Sequence, residues 1–319
     1  MPPPMQRDLL LALAFGAASA LAHAAIAFGG AGALIFALLA PLPIFYAGLA
    51  LGPRSALIAG AAGTAASLAL GPLVALGYLV EVAIGPYLLT RQAVLFRTGP
   101  QGNAEWYPVG RLFGWLAGIA AAALTALHVW FLGADGGLTG ALEQTIAAYL
   151  EQLREAGVLA ELRLEQNPAA IAATMARILP GAAAAVWMLV MIANGALAQG
   201  LALRFGKAIR PVAALVTMQL PIWLLAALPA ALVISLLDGP VGAWAASLVP
   251  VAMVPVLFQG CAVVHVLARR TPMAGLVIGC FYALMLIFSA LVLVVILLGI
   301  AEHWLKVRRR VLDAAGRGG

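Results

Sequence analysis

The sequence predicts an all-α, polytopic transmembrane helix bundle with eight or nine hydrophobic spans and an external amphipathic helical loop. Three observations support this fold class. Of the 319 residues, 64% are hydrophobic and 9% are charged, whereas soluble domains are about half apolar and a quarter charged. The mean hydropathy is +1.05. Long apolar runs such as residues 284–298 lack the alternation of β-barrel strands, which leaves the helix as the spanning element.

Nine apolar segments, each bounded by charge, glycine or proline, account for most of the chain. They cover residues 9–28, 33–51, 55–70, 73–89, 112–132, 180–203, 212–237, 241–268 and 273–300. We expect the first to remain as an uncleaved helix, because its apolar stretch continues past the small residues that resemble a signal-peptide cleavage site. Prolines in segments seven and eight predict kinks. These prolines are Pro221, Pro229, Pro250 and Pro255.

Basic residues stand at the ends of the apolar segments. Despite the net charge of +6, this pattern predicts orientation in a membrane rather than nucleic-acid binding. With a cytoplasmic N-terminus, ten of the 18 basic residues lie on the cytoplasmic side, as the positive-inside rule requires. These ten are Arg7, Arg54, Arg91, Arg97, Arg111, Arg204, Lys207, Arg210, Arg269 and Arg270. We therefore expect a multi-pass membrane protein with a cytoplasmic N-terminus.

The basic tail conflicts with nine crossings. If all nine segments cross, Lys306, Arg308, Arg309 and Arg310 end outside the cell, against the same rule. We therefore expect either eight crossings, with one segment re-entrant or interfacial, or an exceptional tail.

The predicted organisation has four parts along the chain. N-terminal transmembrane helices occupy residues 1–132, an external amphipathic helical loop 133–179, C-terminal transmembrane helices 180–300, and the basic tail 301–319. In the loop, Leu142, Ile146 and Leu150 recur at helical spacing opposite a charged face, and Asn167 before Pro168 is typical of a helix start. The loop is either a connector on the membrane surface or a lid over a cavity.

The sequence contains no motif for catalysis. It has no phosphate-binding loop, no zinc-binding helix and no nucleophile elbow, and its four histidines fall on different segments. Both cysteines lie inside apolar segments, where a small core residue is the ordinary role. We therefore expect a protein that is not an enzyme and that needs neither a metal nor a cofactor.

Polar residues inside the apolar segments are the strongest functional signal, since they are costly in hydrocarbon and favour a partner or a cavity. The predicted substrate-binding residues are Glu81, Tyr78, Asn194, Gln259 and His265. Glu81 leads because small residues beside it leave space next to a carboxylate. Hydrogen bonds between helices are the alternative role for each of them.

Asn194 and Gln199 differ in direction on their common segment. Five residues turn a helix by about 140°, so the two side chains cannot both face one pocket. We expect Asn194 to be the one that lines the pocket.

Small residues repeat every four positions on the first segment, at Ala12, Gly16 and Ala20. Such spacing lets helix backbones approach closely. The predicted role is docking of a separate membrane subunit, with packing inside the bundle as the alternative.

Two groups of residues resemble the YybS-like bacterial membrane proteins, a family of unknown function. The first is Pro41-Leu42-Pro43 with Gly52-Pro53-Arg54; the second is Gln259-Gly260 with His265, Arg269-Arg270 and the closing Arg308-Arg309-Arg310. That family is distantly similar to the substrate-binding subunits of energy-coupling-factor transporters. The resemblance implies a small-molecule-binding bundle, and it implies docking of a coupling subunit on the first segment.

The leading functional hypothesis is an inner-membrane protein that binds or transports a small molecule, with Glu81 and Asn194 lining an outward-facing cavity beneath the external loop. Its expected partners are membrane lipid, an unknown small-molecule ligand and a membrane or ATPase coupling subunit, with no nucleic acid. The alternative is a non-transporting membrane scaffold for envelope assembly or cell division, in which the polar residues only join helices and the loop recruits partners.

Overall fold

A computed structural model describes residues 4–158, 167–212 and 215–316, and the described residues are almost entirely helical. The helices before the first loop are α1 (Pro4–Ala24), α2 (Ala31–Leu39), α3 (Leu42–Ala50), α4 (Pro53–Ser67), α5 (Pro72–Tyr78) and α6 (Ile84–Ala93). A π-helical turn at Leu79–Ala83 joins α5 to α6. Strands β1 (Phe96–Thr98) and β2 (Ala104–Trp106) then pair as an antiparallel hairpin.

The second half of the chain continues the all-helical pattern. Its helices are α7 (Val109–Trp130), α8 (Gly137–Glu155), α9 (Pro168–Arg204), α10 (Ile222–Ile234), α11 (Gly239–Ala268), α12 (Ala274–Ile287), α13 (Ala290–Leu305) and α14 (Val307–Gly316). The predicted all-α class is therefore confirmed.

Six helical stretches in the described ranges are long and apolar enough to cross a membrane. They are Met5–Phe28, Ala31–Ala50, Pro72–Ala93, Val109–Trp130, Pro168–Arg204 and Gly239–Ala268. Helices α10, α12 and α13 are also apolar but shorter. The chain is thus a multi-pass membrane protein, as its composition predicts.

In the described part of the seventh predicted segment, residues 212 and 215–237, the α-helix is limited to the 13 residues of α10 and follows a 3₁₀ turn at Leu215–Thr217. Pro221 caps this helix with an extended ψ of 141°, and a proline cannot supply the N–H that an earlier helical turn would need. The helix therefore starts ten residues later than the apolar pattern.

Two compact units divide the chain. Unit 1 comprises Met1–Leu116 and Trp187–Gln219, and unit 2 comprises Ala117–Val186 and Leu220–Gly319. The boundaries fall inside α7 and α9, so each of these helices has residues in both units. The predicted four-part organisation follows the order of the chain and stays a prediction.

In unit 1, α1 packs closely against α4 through small residues. A Cβ atom on Gly16 would overlap the Ala59 carbonyl, so only glycine permits this approach. Across the same core, the Tyr78 hydroxyl donates to Ser19 Oγ at 2.6 Å, and Ser19 Oγ donates to the Ala40 carbonyl at 2.6 Å. These bonds satisfy buried polar groups that lipid could not.

In unit 2, the last predicted segment, residues 273–300, forms two helices rather than one span. Phe288 has an extended backbone between α12 and α13, with φ −112° and ψ 93°. Neither glycine nor proline marks the break, and Ser289 is the one polar residue between apolar neighbours there. Hydropathy reports the environment of a residue and not the direction of its backbone, so the sequence pattern does not reveal the break.

Helix α13 runs in the same direction as α11. Gln259 of α11 donates from Nε2 to the Gly299 carbonyl at 2.7 Å, and Arg270, just beyond α11, donates to the Val311 carbonyl of α14. An antiparallel pair would put Val311 at the far end of α11 from Arg270. Helix α12, which lies between α11 and α13 in the order of the chain, runs in the opposite direction. Its Tyr282 ring lies 5.7 Å from the ring of His265 in α11.

The basic tail therefore lies at the same end of unit 2 as Arg269 and Arg270. A buried ion pair fixes the turn into α14, because Arg308 Nε lies 2.9 Å from Glu302 Oε1 and the side chains are 8% and 6% exposed. Whatever depth the α12–α13 hairpin reaches, the chain returns to the side from which it left. The two basic groups then share a side, which removes the conflict with the positive-inside rule.

Candidate functional site

A cavity of about 470 Å³ lies within unit 1, and we call it the Arg210 cavity. Its volume is in the range of small-molecule sites. Helices α3, α6, α7 and α9 form its walls, together with the segment that follows α9. Most of its lining is apolar, including Phe45, Leu49, Leu89, Leu112, Phe113, Leu116, Met191, Ile192, Leu203, Val212 and Leu215, whereas its polar lining residues are Thr90, Gln199 and Arg210.

The end of α9 explains how an arginine reaches this cavity. Gly206 has a positive φ of 63°, and the Lys207 N–H donates to the Ala202 carbonyl at 2.8 Å, which closes the helix and turns the chain. The returning segment then binds α3, because the Ile209 N–H donates to the Leu49 carbonyl at 3.0 Å. This turn carries Arg210 back to the wall of the cavity.

Arg210 is 7% exposed, and only some of its side-chain hydrogen-bond donors have a partner. One terminal nitrogen donates to the Ala93 carbonyl at 2.9 Å, and Gln199 Nε2 donates to the Arg210 carbonyl at 2.9 Å. Burial lowers the pKa of the Arg210 guanidinium from its usual value. An arginine has so high a reference pKa that the group stays cationic at neutral pH.

Two polar atoms of the cavity residues are buried without a partner. Arg210 Nε and Gln199 Oε1 make no hydrogen bond within the part of the chain that the structure describes. Thr90 differs, since its hydroxyl donates to the Pro86 carbonyl at 2.7 Å. A buried polar group without a partner costs about 1–3 kcal/mol, so each of these two atoms calls for a partner.

Of the predicted site residues in unit 1, none lines this cavity. Tyr78 is fully buried and bonds to Ser19. Asn194 donates from Nδ2 to the carbonyls of Leu38 at 2.9 Å and Val190 at 2.8 Å, and its Oδ1 finds no partner among the described residues. These bonds match the alternative role, hydrogen bonding between helices.

Glu81 lies on the π-helical turn, and its side chain is exposed. Its main-chain carbonyl accepts a hydrogen bond from Trp187 Nε1 at 2.7 Å. The turn widens the helix at this point, which frees that carbonyl for Trp187. The carboxylate is therefore outside the wall of the Arg210 cavity.

The remaining predicted residues lie in unit 2. Gln259 joins three elements, because it donates to Gly299 and its Oε1 accepts from the Leu220 N–H at 3.3 Å. His265 Nδ1 lies 2.8 Å from the Cys261 carbonyl one helical turn earlier. Gln259 and His265 thus make separate contacts within unit 2.

The small residues of the first segment face α4 within unit 1. Ala12 and Ala20 are buried, and Gly16 lies against Ala59 and Gly63. Their contacts are those of internal packing, and a role in docking a separate subunit stays a prediction.

Sequence reasoning missed Arg210 and underrated Gln199. The positive-inside pattern already accounts for Arg210, so nothing in the sequence marks it as a cavity residue. The signal that could have found it is Gly206, a glycine directly after a long apolar helix, which is typical of a chain reversal. Within the described ranges, no group of three or more histidine, cysteine, aspartate or glutamate side chains could hold a metal ion.

A family model described as a predicted membrane protein (DUF2232) matches residues 17–302 of the chain. No curated protein and no solved structure matches it. The matched range contains every residue that lines the Arg210 cavity.

Proposed function

The chain belongs to the DUF2232 family of predicted membrane proteins, and we propose that it binds an amphiphilic small molecule in the Arg210 cavity. The observation that carries the proposal is a buried guanidinium at the wall of an apolar cavity, with no carboxylate paired to it in the described residues. A buried charge is costly unless it is paired, so an anionic group of a ligand is its natural partner.

The lining defines the chemistry of this ligand. Leucine, phenylalanine and methionine side chains take a hydrocarbon or ring system, which gains about 25 cal/mol for each Å² of apolar surface removed from water. Arg210 Nε offers a donor for a carboxylate or phosphate oxygen, and Gln199 Oε1 accepts from a hydroxyl or amide group. The ligand is thus an apolar molecule with one acidic end.

The resemblance to substrate-binding subunits of energy-coupling-factor transporters supports the same proposal. In that role the protein is not an enzyme and has no ATPase motif, so uptake requires a separate coupling subunit. The proposed location is the bacterial inner membrane with a cytoplasmic N-terminus, which puts Arg210 on the cytoplasmic side. Whether the external loop covers a cavity stays a prediction.

The external loop favours binding over the scaffold hypothesis. Leu150 of α8 and Ala172 of α9 are buried against each other, and Ile146 and Leu153 pack beside them. The part of the apolar face that Ile146, Leu150 and Leu153 form is therefore covered within unit 2.

A cavity-filling variant tests the proposal. Gly200 lines the cavity, and a Cβ atom there would meet no heavy atom within 4 Å, so Gly200→Phe can occupy the space without a clash at its first carbon. The wild type and the variant are purified in mild detergent, extracted with solvent and compared by mass spectrometry. The proposal predicts a bound small molecule in the wild type and loss of most of it from the variant.

The matched control is Gly118→Phe, another helical glycine with an open Cβ direction that does not line the cavity. It should retain the molecule as the wild type does. A wild-type protein that carries no small molecule, or a Gly200→Phe variant that keeps it in full, would overturn the proposal.

A further inference from the structure

A second cavity in unit 1, of about 620 Å³, is lined by two arginines and differs in character from the first. Its walls are the start of α4, with Arg54 and Leu57, and the end of α6, with Tyr87, Arg91 and Leu95 just beyond. It shares no lining residue with the Arg210 cavity.

The two guanidinium groups are uncompensated. Arg54 and Arg91 are exposed, and neither forms an ion pair with a carboxylate in the described ranges. Two cations at one cavity repel each other, and an anion between them would relieve that repulsion. The N-terminal end of α4 adds a partial positive charge of the same sign.

The position of the cavity indicates which kind of anion it binds. Helix α4 begins here and α6 ends here, so both arginines lie at one end of a helix pair, where a bilayer places its headgroups. Leu57 and Leu95 are 50% and 49% exposed beside the arginines. An anion with attached acyl chains would contact both the cations and these exposed leucines.

We propose that this cavity binds the phosphate headgroup of an anionic membrane lipid through Arg54 and Arg91. The guanidinium groups donate to the phosphate oxygens, and the first methylenes of the acyl chains lie along Leu57 and Leu95. Tyr87, half-buried at the same cavity, offers a hydroxyl to the headgroup. Basic pockets between transmembrane helices are a recurrent mode of lipid headgroup recognition.

The test uses the full chain, delipidated in detergent and titrated with phosphatidylglycerol, with bound lipid counted by native mass spectrometry. Each arginine contributes about a tenfold change in affinity if it donates to a charged oxygen, so Arg54→Gln and Arg91→Gln should each weaken binding about tenfold. Arg204→Gln removes the same charge from an exposed arginine outside the cavity and should leave binding unchanged.

Two further measurements distinguish binding of a lipid headgroup from binding of free phosphate. Phosphatidylcholine should bind no better to the wild type than to the double variant Arg54→Gln with Arg91→Gln, and about 10 mM inorganic phosphate should not displace phosphatidylglycerol. Displacement by inorganic phosphate would mean a site for a free anion and would overturn the lipid assignment, as would equal loss in Arg204→Gln. A melting temperature close to that of the wild type identifies the variants as folded, so reduced binding is not an effect of unfolding.

Discussion

Gln199 Nε2 donates a hydrogen bond to the main-chain carbonyl of Arg210 at 2.9 Å. A residue in the last turns of α9 thus holds the reversed segment that follows the same helix. The bond links two of the three polar residues that line the cavity, Gln199 through its side chain and Arg210 through its backbone.

Replacing Gln199 by leucine should weaken ligand retention several-fold. The Arg210 segment loses the hydrogen bond that holds it against α9, and the ligand loses a hydrogen-bond acceptor. The variant also loses a hydrogen bond that contributes about 1 kcal/mol to stability. Co-purified ligand per protein and the thermal midpoint in detergent measure the two effects. Gln152→Leu, an exposed site on α8, serves as the control, and equal retention in both variants would contradict a role for Gln199.

Tyr78→Phe should lower stability by about 1 kcal/mol without changing ligand retention, since its hydroxyl bonds to Ser19 inside the core and does not line the Arg210 cavity. Ser19→Ala should have a similar effect. A Tyr78→Phe protein that melts normally but has lost its ligand would restore the sequence-based assignment of Tyr78 to the binding site.

Residues 269 and 310 should be accessible from the same side of the membrane. Single cysteines at these exposed positions, Arg269→Cys and Arg310→Cys, are introduced after Cys261 and Cys280 are replaced by serine. An impermeant maleimide should label both from the cytoplasmic side only. Labelling from opposite sides would show that residues 273–300 cross the membrane once and would refute the paired helices α12 and α13.

Breaking the Glu302–Arg308 pair should destabilise unit 2 by about 3–5 kcal/mol, because removal of one partner leaves the other charge buried. Glu302→Leu is the test, and thermal unfolding gives the measurement. The double variant Glu302→Leu with Arg308→Leu should recover part of the loss, since neither buried charge of this pair remains. A double variant less stable than Glu302→Leu would argue against this explanation.

Composition alone predicted the fold class, because 64% hydrophobic residues in uninterrupted runs leave only membrane helices. The path of the last apolar segment could not be predicted in the same way. Its reversal rests on the extended backbone of Phe288 and on the packing of Gly299 against α11, and both are tertiary features.

The candidate site was only partly predictable. The 140° separation of Asn194 and Gln199 predicted that the two side chains would not face one pocket, and of the two only Gln199 lines the Arg210 cavity. The sequence analysis favoured Asn194 as the residue that lines the pocket, because an isolated helix does not reveal which of its faces its neighbours leave open. Glu81 gave the stronger sequence signal, yet its side chain is exposed, while Arg210 reached the cavity through a turn set by Gly206.

Ligand retention by Arg210→Gln is the most direct test of the proposed function. The wild type, Arg210→Gln and the control Arg204→Gln are purified in parallel, and the co-purified small molecule per protein is quantified by mass spectrometry. Loss of a charge-assisted hydrogen bond predicts about tenfold weaker binding in Arg210→Gln and wild-type retention in Arg204→Gln. Equal retention in a folded Arg210→Gln protein would contradict the account.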